Sequence, residues 1–211
     1  IAGAAFMCAG QRCTAISRVI VAEPLRAKVE EGLAARARAQ KAGNGLDEGV
    51  TLGPLTGAAQ YRRVREMVDA GRAEGARVLT GGETGADAAR DGYFYPATIL
   101  AGVTAQMRVA REEIFGPVIS VLSYRTLDEA FAILNAVDYG LTSALFSNDY
   151  RVIGRFVAES ESGMLHVNHG TIPDNHMPFG GIKHSGVGAY SVGASAASFY
   201  TTEHSVYLKA G

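Results

Sequence analysis

Short runs rich in Val, Ile and Leu alternate with amphipathic segments along most of this chain, and this alternation limits its possible folds more than any other feature. The strand-like runs are Ser17–Ala22, Tyr93–Leu100, Pro117–Tyr124, Leu141–Phe146 and Gly163–Asn168, and the helix-like segments are Ile1–Gly10, Pro24–Lys41, Gly57–Glu74, Leu127–Val137 and Asp149–Glu159. Because consecutive parallel strands are joined by helical crossovers of this length, the pattern predicts an α/β fold. We expect a three-layer architecture with a largely parallel sheet.

Composition excludes several classes of partner. The chain has 211 residues, 47% of them hydrophobic, and 20 Lys+Arg balance 21 Asp+Glu to a net charge of -1. A near-neutral chain has no overall positive field to hold nucleic acid or an anionic membrane. No apolar run is long enough to cross a bilayer, and the first ten residues do not resemble a signal peptide. We therefore expect a cytoplasmic protein with no nucleic-acid or membrane partner.

The loops and the last third of the sequence differ from the regular segments. Gly81–Gly92 is polar and glycine-rich, and Asn168–Gly193 is rich in Gly, His, Pro and Ser without helical or strand periodicity. Long ordered loops of this kind commonly carry function. Phe199–Lys209 has strand composition, so we expect a strand that pairs outside the main sheet, with another chain as one candidate partner.

Cys13 is a candidate nucleophile. It lies between a helix-like segment and a strand-like run, where Gly10 permits close backbone approach and Arg12 supplies positive charge that favours a thiolate. The other cysteine, Cys8, is too close in sequence for a useful disulfide, so both are expected to be free thiols. Residue chemistry alone leaves a second interpretation open for Cys13, because free cysteines are commonly small buried hydrophobic residues.

Three motifs resemble those of the aldehyde dehydrogenase superfamily. Phe6, Gly10, Gln11, Cys13 and Ala15 follow the pattern Phe-x-x-x-Gly-Gln-x-Cys-x-Ala, which resembles the family's cysteine signature. Glu112–Val118 (EEIFGPV) is similar to its nicotinamide-ribose motif. Asn168, followed by Pro178–Gly186 (PFGGIKHSG), is similar to its substrate-tunnel and C-terminal loop motif. The order and spacing of these motifs extend the resemblance over essentially the whole chain.

The resemblance implies a covalent mechanism with NAD or NADP as the cofactor. Cys13 would attack the carbonyl of a small-molecule aldehyde, and its own backbone N–H would help to hold the oxyanion. Glu113 would accept hydrogen bonds from the nicotinamide ribose, and Phe115 would pack near the ring. His169 and Thr171, in the segment that shapes the aldehyde entrance, and Phe179 would bind substrate.

The resemblance also implies how the chain is organised. Residues 1–190 would form the catalytic domain, and residues 191–211 would form a C-terminal oligomerisation strand of a homodimer or homotetramer. Family enzymes are about twice as long, so we expect an N-terminal NAD-binding domain, with the general-base glutamate, elsewhere in the same polypeptide. The abrupt start at Ile1 agrees with a longer parent.

Alternatives remain open at this point. A CoA-acylating semialdehyde dehydrogenase would share the same motifs, and so would a non-enzymatic module that retained the fold. The irregular spacing of His166, His169, His176 and His184 does not indicate a metal site, because no Cys or paired carboxylate is near them. On the second predicted long helix, Gln60 and Arg63 are expected to face solvent.

Overall fold

A four-stranded mixed sheet forms the centre of the protein, which is described here by a computed structural model covering residues 1–82 and 92–211. Its strands are β1 (Arg18–Ala22), β2 (Arg77–Thr80), β3 (Thr98–Ala101) and β4 (Val118–Tyr124), in the spatial order β1-β4-β3-β2. β4 pairs in parallel with β1 and with β3, whereas β2 is antiparallel to β3 at the edge. The α/β class and the mostly parallel sheet are confirmed.

Seven helices and two small sheets complete the described structure. The helices are α1 (Ala2–Phe6), α2 (Arg26–Arg38), α3 (Ala58–Ala73), α4 (Arg108–Arg111), α5 (Leu127–Asn135), α6 (Tyr150–Glu159) and α7 (Gly193–Tyr200). The remaining strands are β5 (Tyr139–Gly140), β6 (Thr142–Leu145), β7 (Met164–Val167) and β8 (Ile182–Lys183). β5 is antiparallel to β8, and β6 is parallel to β7.

Burial of the two inner strands shows how the layers pack. Five consecutive residues of β4, from Val118 to Leu122, are buried, and so are all four residues of β3. Because successive side chains of a strand point to opposite faces, both faces of the sheet are covered at these strands. α2 contacts β1, β2 and β3, and α5 contacts β1 and β4.

The amphipathic patterns locate most of the longer helices correctly, because these helices bury at least part of the predicted apolar face. On α3, Tyr61, Val64 and Val68 are buried, and the helix ends before Gly75 as expected. On α2, Leu33 and Ala37 of the predicted stripe are buried. The stripe is wrong at its first member, because Leu25 precedes the helix and is exposed.

Several predicted elements differ from the structure. The helix expected over Ile1–Gly10 stops at Phe6 and continues as a 3₁₀ turn over Met7–Gly10. β2 was not predicted, and β6 and β7 pair with each other outside the four-stranded sheet. Local composition identifies strand-forming residues, but the pairing of strands depends on contacts that are distant in sequence.

The strand predicted over Phe199–Lys209 is wrong at its first two residues. Phe199 and Tyr200 end helix α7, and residues 201–211 form neither helix nor strand. A strand requires a hydrogen-bonded neighbour, and no segment of residues 1–82 or 92–211 supplies one here. The predicted pairing of this segment with another chain stays a prediction.

Two further predictions concern loops and membranes. Most of the predicted Gly81–Gly92 loop falls outside the described residues, which resume at Gly92. The segment between Asn168 and Gly193 is confirmed as largely irregular, apart from β8. In the two described ranges, every helix is too short or too polar to span a membrane.

Candidate active site

Cys13 lies exposed in a tight turn that follows a strained stretch of backbone. Cys8 and Ala9 both have φ of 53°, and Gly10 has φ of 68°, so three consecutive residues adopt left-handed conformations. Such conformations are costly for residues with a Cβ atom and terminate a right-handed helix. The turn itself is closed by the N–H of Ala15, which donates to the carbonyl of Arg12 at 2.8 Å.

Gln11 fixes this turn to a neighbouring loop. Its side-chain oxygen accepts from the N–H of Thr56 at 2.8 Å, and its side-chain amide donates to the carbonyl of Pro54 at 3.2 Å. The amide therefore satisfies a backbone acceptor 43 residues away and a backbone donor 45 residues away. Because Gln11 is two residues before Cys13, this double contact fixes the backbone that carries Cys13.

The backbone of the cysteine turn packs directly against the second motif. A Cβ atom placed on Gly10 would overlap the carbonyl group of Gly116, and it would lie 3.0 Å from the nitrogen of Pro117. Only glycine permits this approach. The structure therefore brings together two segments that are more than 100 residues apart in the sequence.

Helix α3 holds the second motif from its other side. The side-chain amide of Gln60 donates to the carbonyls of Ile114 at 2.9 Å and Phe115 at 2.7 Å, and Arg63 Nη2 donates to the carbonyl of Glu113 at 2.5 Å. The expectation that Gln60 faces solvent is wrong, because it is partly buried against the second motif, whereas Arg63 is exposed as expected and also bonds to that motif. The sequence signal for this shared contact is the spacing of the two residues, because side chains three residues apart lie on the same face of a helix.

Glu113 presents a carboxylate with no hydrogen-bond partner among residues 1–82 and 92–211. Although its side chain is exposed, surrounding protein removes part of its hydration, which raises the pKa of the carboxyl, and the positive charge of Arg63 partly opposes this effect. Phe115 is half-buried with φ of 55°, a conformation fixed by the contacts of its carbonyl. A free carboxylate beside a fixed aromatic residue suits the recognition of a ribose.

Thr171, in the segment between Asn168 and Pro178, is bonded to the cysteine turn. Its side chain is 3% exposed, and its hydroxyl donates to the carbonyl of Thr14, the residue after Cys13. The preceding Gly170 lies against Ala4 of α1. The hydroxyl of Thr171 is thus occupied in holding the turn, and the segment that begins at His169 passes over the residues next to Cys13.

His169 pairs with His166 beside this segment. Their Nδ1 atoms are 3.3 Å apart, and Nε2 of His166 is shielded from solvent without a partner among the described residues. Burial lowers the pKa of His166, and the neighbouring His169 lowers it further. Within the described ranges, no group of three or more His, Cys, Asp or Glu residues is arranged to hold a metal ion.

Phe179 is held on a different part of the loop. Its N–H donates to the carbonyl of Ser191 at 2.7 Å, and its carbonyl accepts from the N–H of Ser191 at 2.8 Å. Asn168, with φ of 54°, is bonded through its side-chain amide to both backbone groups of Ser147. Neither residue is joined by a hydrogen bond to the Cys13 turn in the described structure.

Compared with known protein families, residues 1–206 match the family described as "Aldehyde dehydrogenase family". The chain belongs to the aldehyde dehydrogenase family. It is 38% identical to 2,5-dioxopentanoate dehydrogenase of Saccharolobus solfataricus, over 94% of this chain and 41% of that protein. It is 39% identical to betaine aldehyde dehydrogenase of Cereibacter sphaeroides, over 98% of this chain and 42% of that protein. The chain thus spans about two-fifths of the length of these relatives.

Solved structures of other family members resemble the fold closely. An aldehyde dehydrogenase of Pseudomonas syringae, with a cysteine replaced by alanine and with NAD⁺ and octanal bound, superposes with a TM-score of 0.88 and 35% identity. The match covers 94% of this chain and 41% of that structure. The mixed, mostly parallel sheet is therefore that of an aldehyde dehydrogenase.

Proposed function

We propose that the polypeptide containing this chain oxidises an aldehyde to a carboxylate with NAD or NADP, and that Cys13 is its nucleophile. The observation that carries the proposal is that the second motif and the segment around Thr171 both contact the turn that contains Cys13. Gly10 meets Gly116 of the second motif, and Thr171, which lies between Asn168 and Pro178, binds Thr14. Contacts from distant segments of the chain around an exposed cysteine are typical of a catalytic site.

The chain's own residues supply several parts of the reaction. The Cys13 thiolate attacks the aldehyde carbon and forms a thiohemiacetal, whose oxygen carries negative charge as the carbonyl bond opens. The backbone N–H of Cys13 makes no hydrogen bond to any described residue, so it is available to stabilise that oxygen. After hydride departs, a thioester remains on Cys13, and its hydrolysis releases the carboxylate and restores the thiol.

The residues of the second motif fit a nicotinamide cofactor. NAD or NADP, when bound, supplies the acceptor for the hydride. The carboxylate of Glu113 has free acceptor oxygens for ribose hydroxyls, and Gln60 holds the carbonyls that fix Phe115. The relative from Pseudomonas syringae, which binds NAD⁺ and octanal, supports this assignment of cofactor and substrate class. Activation of the hydrolytic water is expected from the N-terminal domain of the same polypeptide.

Replacement of Cys13 tests the proposal in the full-length parent. Cys13→Ser is expected to lower aldehyde-dependent NADH formation by about 10³-fold, because a hydroxyl is a far weaker nucleophile than a thiolate. Cys8→Ser is the matched control, since both thiols are exposed and close in sequence. Product analysis with and without coenzyme A distinguishes a carboxylate from an acyl thioester. Retained activity in Cys13→Ser, or an equal loss in Cys8→Ser, would contradict the assignment.

A further inference from the structure

His166 and His169 form a pair of side chains at the carboxyl end of β7. Their Nδ1 atoms are 3.3 Å apart, and their rings are stacked at an interplanar angle of 20° with centroids 5.4 Å apart. His166 belongs to the strand, whereas His169 follows it and is exposed. Two unprotonated nitrogens at this distance would repel each other, so one Nδ1 donates a hydrogen bond to the other.

The surroundings of the other ring nitrogen decide which histidine is the donor. Nε2 of His166 is shielded from solvent and has no partner among residues 1–82 and 92–211. A proton on this atom would be a buried N–H without an acceptor, which is costly. Neutral His166 therefore carries its proton on Nδ1 and donates it to Nδ1 of His169. The proton of His169 then lies on its own Nε2, where water can accept it because this side chain is exposed.

Protonation of either histidine is incompatible with this arrangement. A charged histidine carries a proton on both ring nitrogens. If His169 were charged, its Nδ1–H would face the Nδ1–H of His166, and relief would require His166 to move its proton to the shielded Nε2. If His166 were charged, the same Nε2–H would be shielded without an acceptor. The pair is therefore stable only while both histidines are neutral.

The surroundings do not compensate a positive charge on the pair. Among residues 1–82 and 92–211, His169 is the one ionisable group whose charge shifts the pKa of His166, and burial together with His169 lowers this pKa. β6, which pairs with β7, consists of Thr, Ser, Ala and Leu, and α1, which meets Gly170, has no ionisable side chain. Further along the loop, the carboxylate of Asp174 is paired with His176 at 3.0 Å.

The pair lies at the start of the segment that is bonded to the cysteine turn. Thr171 donates to the carbonyl of Thr14, the residue after Cys13. A single residue, Gly170, separates Thr171 from His169. A displacement of His169 therefore also moves the hydroxyl group that holds this turn.

We propose that His166 is a positioning residue, which holds His169 and, through Thr171, the turn of Cys13 only while the pair is neutral. The effect on catalysis rests on the proposed function, whereas the holding of the segment does not. An ordinary histidine has a pKa of about 6.5. The pair is therefore intact at neutral and alkaline pH, and its hydrogen bond is lost as the pH falls below about 6.5.

Two substitutions in the full-length parent have opposite expected effects on the segment. His169→Gln replaces the accepting nitrogen by an amide oxygen that does not titrate, so the segment should stay held at every pH. His166→Phe keeps a ring and removes the donor, so the segment should be released at every pH.

Amide hydrogen exchange measures this holding without requiring aldehyde oxidation. After correction for the intrinsic pH dependence of exchange, the parent peptide that spans residues 168–177 should exchange about fivefold faster at about pH 5.5 than at about pH 8. In His166→Phe the fast rate is expected at both pH values, and in His169→Gln the slow rate.

Steady-state kinetics with pentanal, an aldehyde without an ionisable group, test the effect on catalysis. At about pH 8, His166→Phe is expected to lower kcat/KM about tenfold relative to the parent. At about pH 5.5, where the pair of the parent is already protonated, the two should differ less than about twofold. Comparison with the parent at each pH cancels every titration that both proteins share. His204→Gln, at an exposed position outside the segment, is the matched control.

The outcomes separate this inference from the proposed function. A loss of kcat/KM in His166→Phe that is the same at both pH values would show that His166 only supports the fold and would overturn the inference. Corrected exchange in the parent that does not depend on pH, or His169→Gln that follows the parent, would overturn it as well. If the parent oxidises no aldehyde of a panel, the proposed function fails, and amide exchange still decides whether the pair holds the segment.

Discussion

At the scale of single residues, the candidate site is built on backbone that only a few side chains tolerate. Cys8, Ala9 and Gly10 all have positive φ, and two of them have a Cβ atom. Strain of this kind persists only where neighbouring contacts compensate for it. Here the contacts are those of Gln11 with Pro54 and Thr56.

Gly10→Ala tests how closely the cysteine turn and the second motif must approach. The new Cβ would overlap the carbonyl of Gly116 at a φ of 68°, so we expect a loss of about 2–4 kcal/mol in the free energy of unfolding. Urea denaturation measures it. Gly3→Ala is the control, because its Cβ would meet no atom within 4 Å. Since Gly3 lies in helix α1, this change should raise the free energy of unfolding by about 0.5–1 kcal/mol. Equal stability of Gly10→Ala and the parent would refute the packing argument.

Glu113→Gln tests the predicted ribose contact through its pH dependence. Because the pKa of Glu113 is raised, its carboxylate is lost on acidification at a higher pH than that of an ordinary glutamate. NAD affinity of the parent should therefore weaken as the pH falls from neutral, as measured by titration with NADH fluorescence. In Glu113→Gln this dependence should disappear and the affinity at neutral pH should be about tenfold lower.

The adjacent Glu112 provides the control for that experiment. A hydrogen bond and the positive charge of Arg108 lower the pKa of Glu112, so it stays ionised over the same range. Glu112→Gln should leave the affinity and its pH dependence unchanged. An identical effect of both substitutions would mean that the overall charge of the segment, and not a contact of Glu113, governs cofactor binding.

At the scale of elements, α3 positions the second motif through hydrogen bonds to its carbonyls. Gln60→Met keeps a side chain of similar length but removes both N–H donors of the amide. The carbonyl of the buried Ile114 is then left without its hydrogen bond. We expect a loss of about 1–3 kcal/mol in unfolding free energy. NAD affinity should fall at the same time, because Phe115 and Glu113 lose their fixed backbone.

Thermal denaturation and NADH titration measure both effects in the Gln60→Met variant. Arg62→Gln is a suitable control, since Arg62 lies on the same helix, is exposed and makes no described hydrogen bond. If Gln60→Met destabilised the protein but left NAD affinity unchanged, α3 would support the fold without positioning the cofactor.

Helices were predictable because their signals are local. The apolar residues of α3 and the caps of α5 and α6, where Thr126 and Asp149 accept backbone N–H groups, lie within a few residues of each other. α1 ended early because Gly10 must approach Gly116, a contact far away in sequence. The strand expected from Phe199 starts in the wrong place, because Phe199 and Tyr200 belong to α7, and composition does not supply a pairing partner for the residues that follow.

At the scale of the whole molecule, apolar residues near the C-terminus remain uncovered. Val206, Tyr207 and Leu208 are 74%, 95% and 91% exposed. Contiguous exposed apolar side chains commonly mark a contact with another protein surface. The predicted division into residues 1–190 and an oligomerisation segment of residues 191–211 stays a prediction, and so does the dimer or tetramer.

Charge substitutions in this segment test the predicted assembly. Val206→Asp with Leu208→Asp should reduce the molar mass of the full-length parent from that of an oligomer toward that of one subunit, because carboxylates oppose burial of this segment. Light scattering coupled to size-exclusion chromatography measures the mass. Lys209→Gln, at a neighbouring exposed position, should leave it unchanged. An oligomer that survives the double substitution would place the interface elsewhere.

The sequence by itself determined the α/β class, the approximate positions of most helices and the family, through residues such as Cys13 and Glu113. These follow from periodicity and from motifs, which are local properties of a chain. Only the tertiary structure decided that Gln60 holds the second motif, that Thr171 uses its hydroxyl to bind Thr14, and that Nε and Nη2 of Arg12 have no acceptor among residues 1–82 and 92–211. Each of these depends on whether a hydrogen-bond partner, distant in sequence, is brought within reach, and local pattern carries no information about that distance.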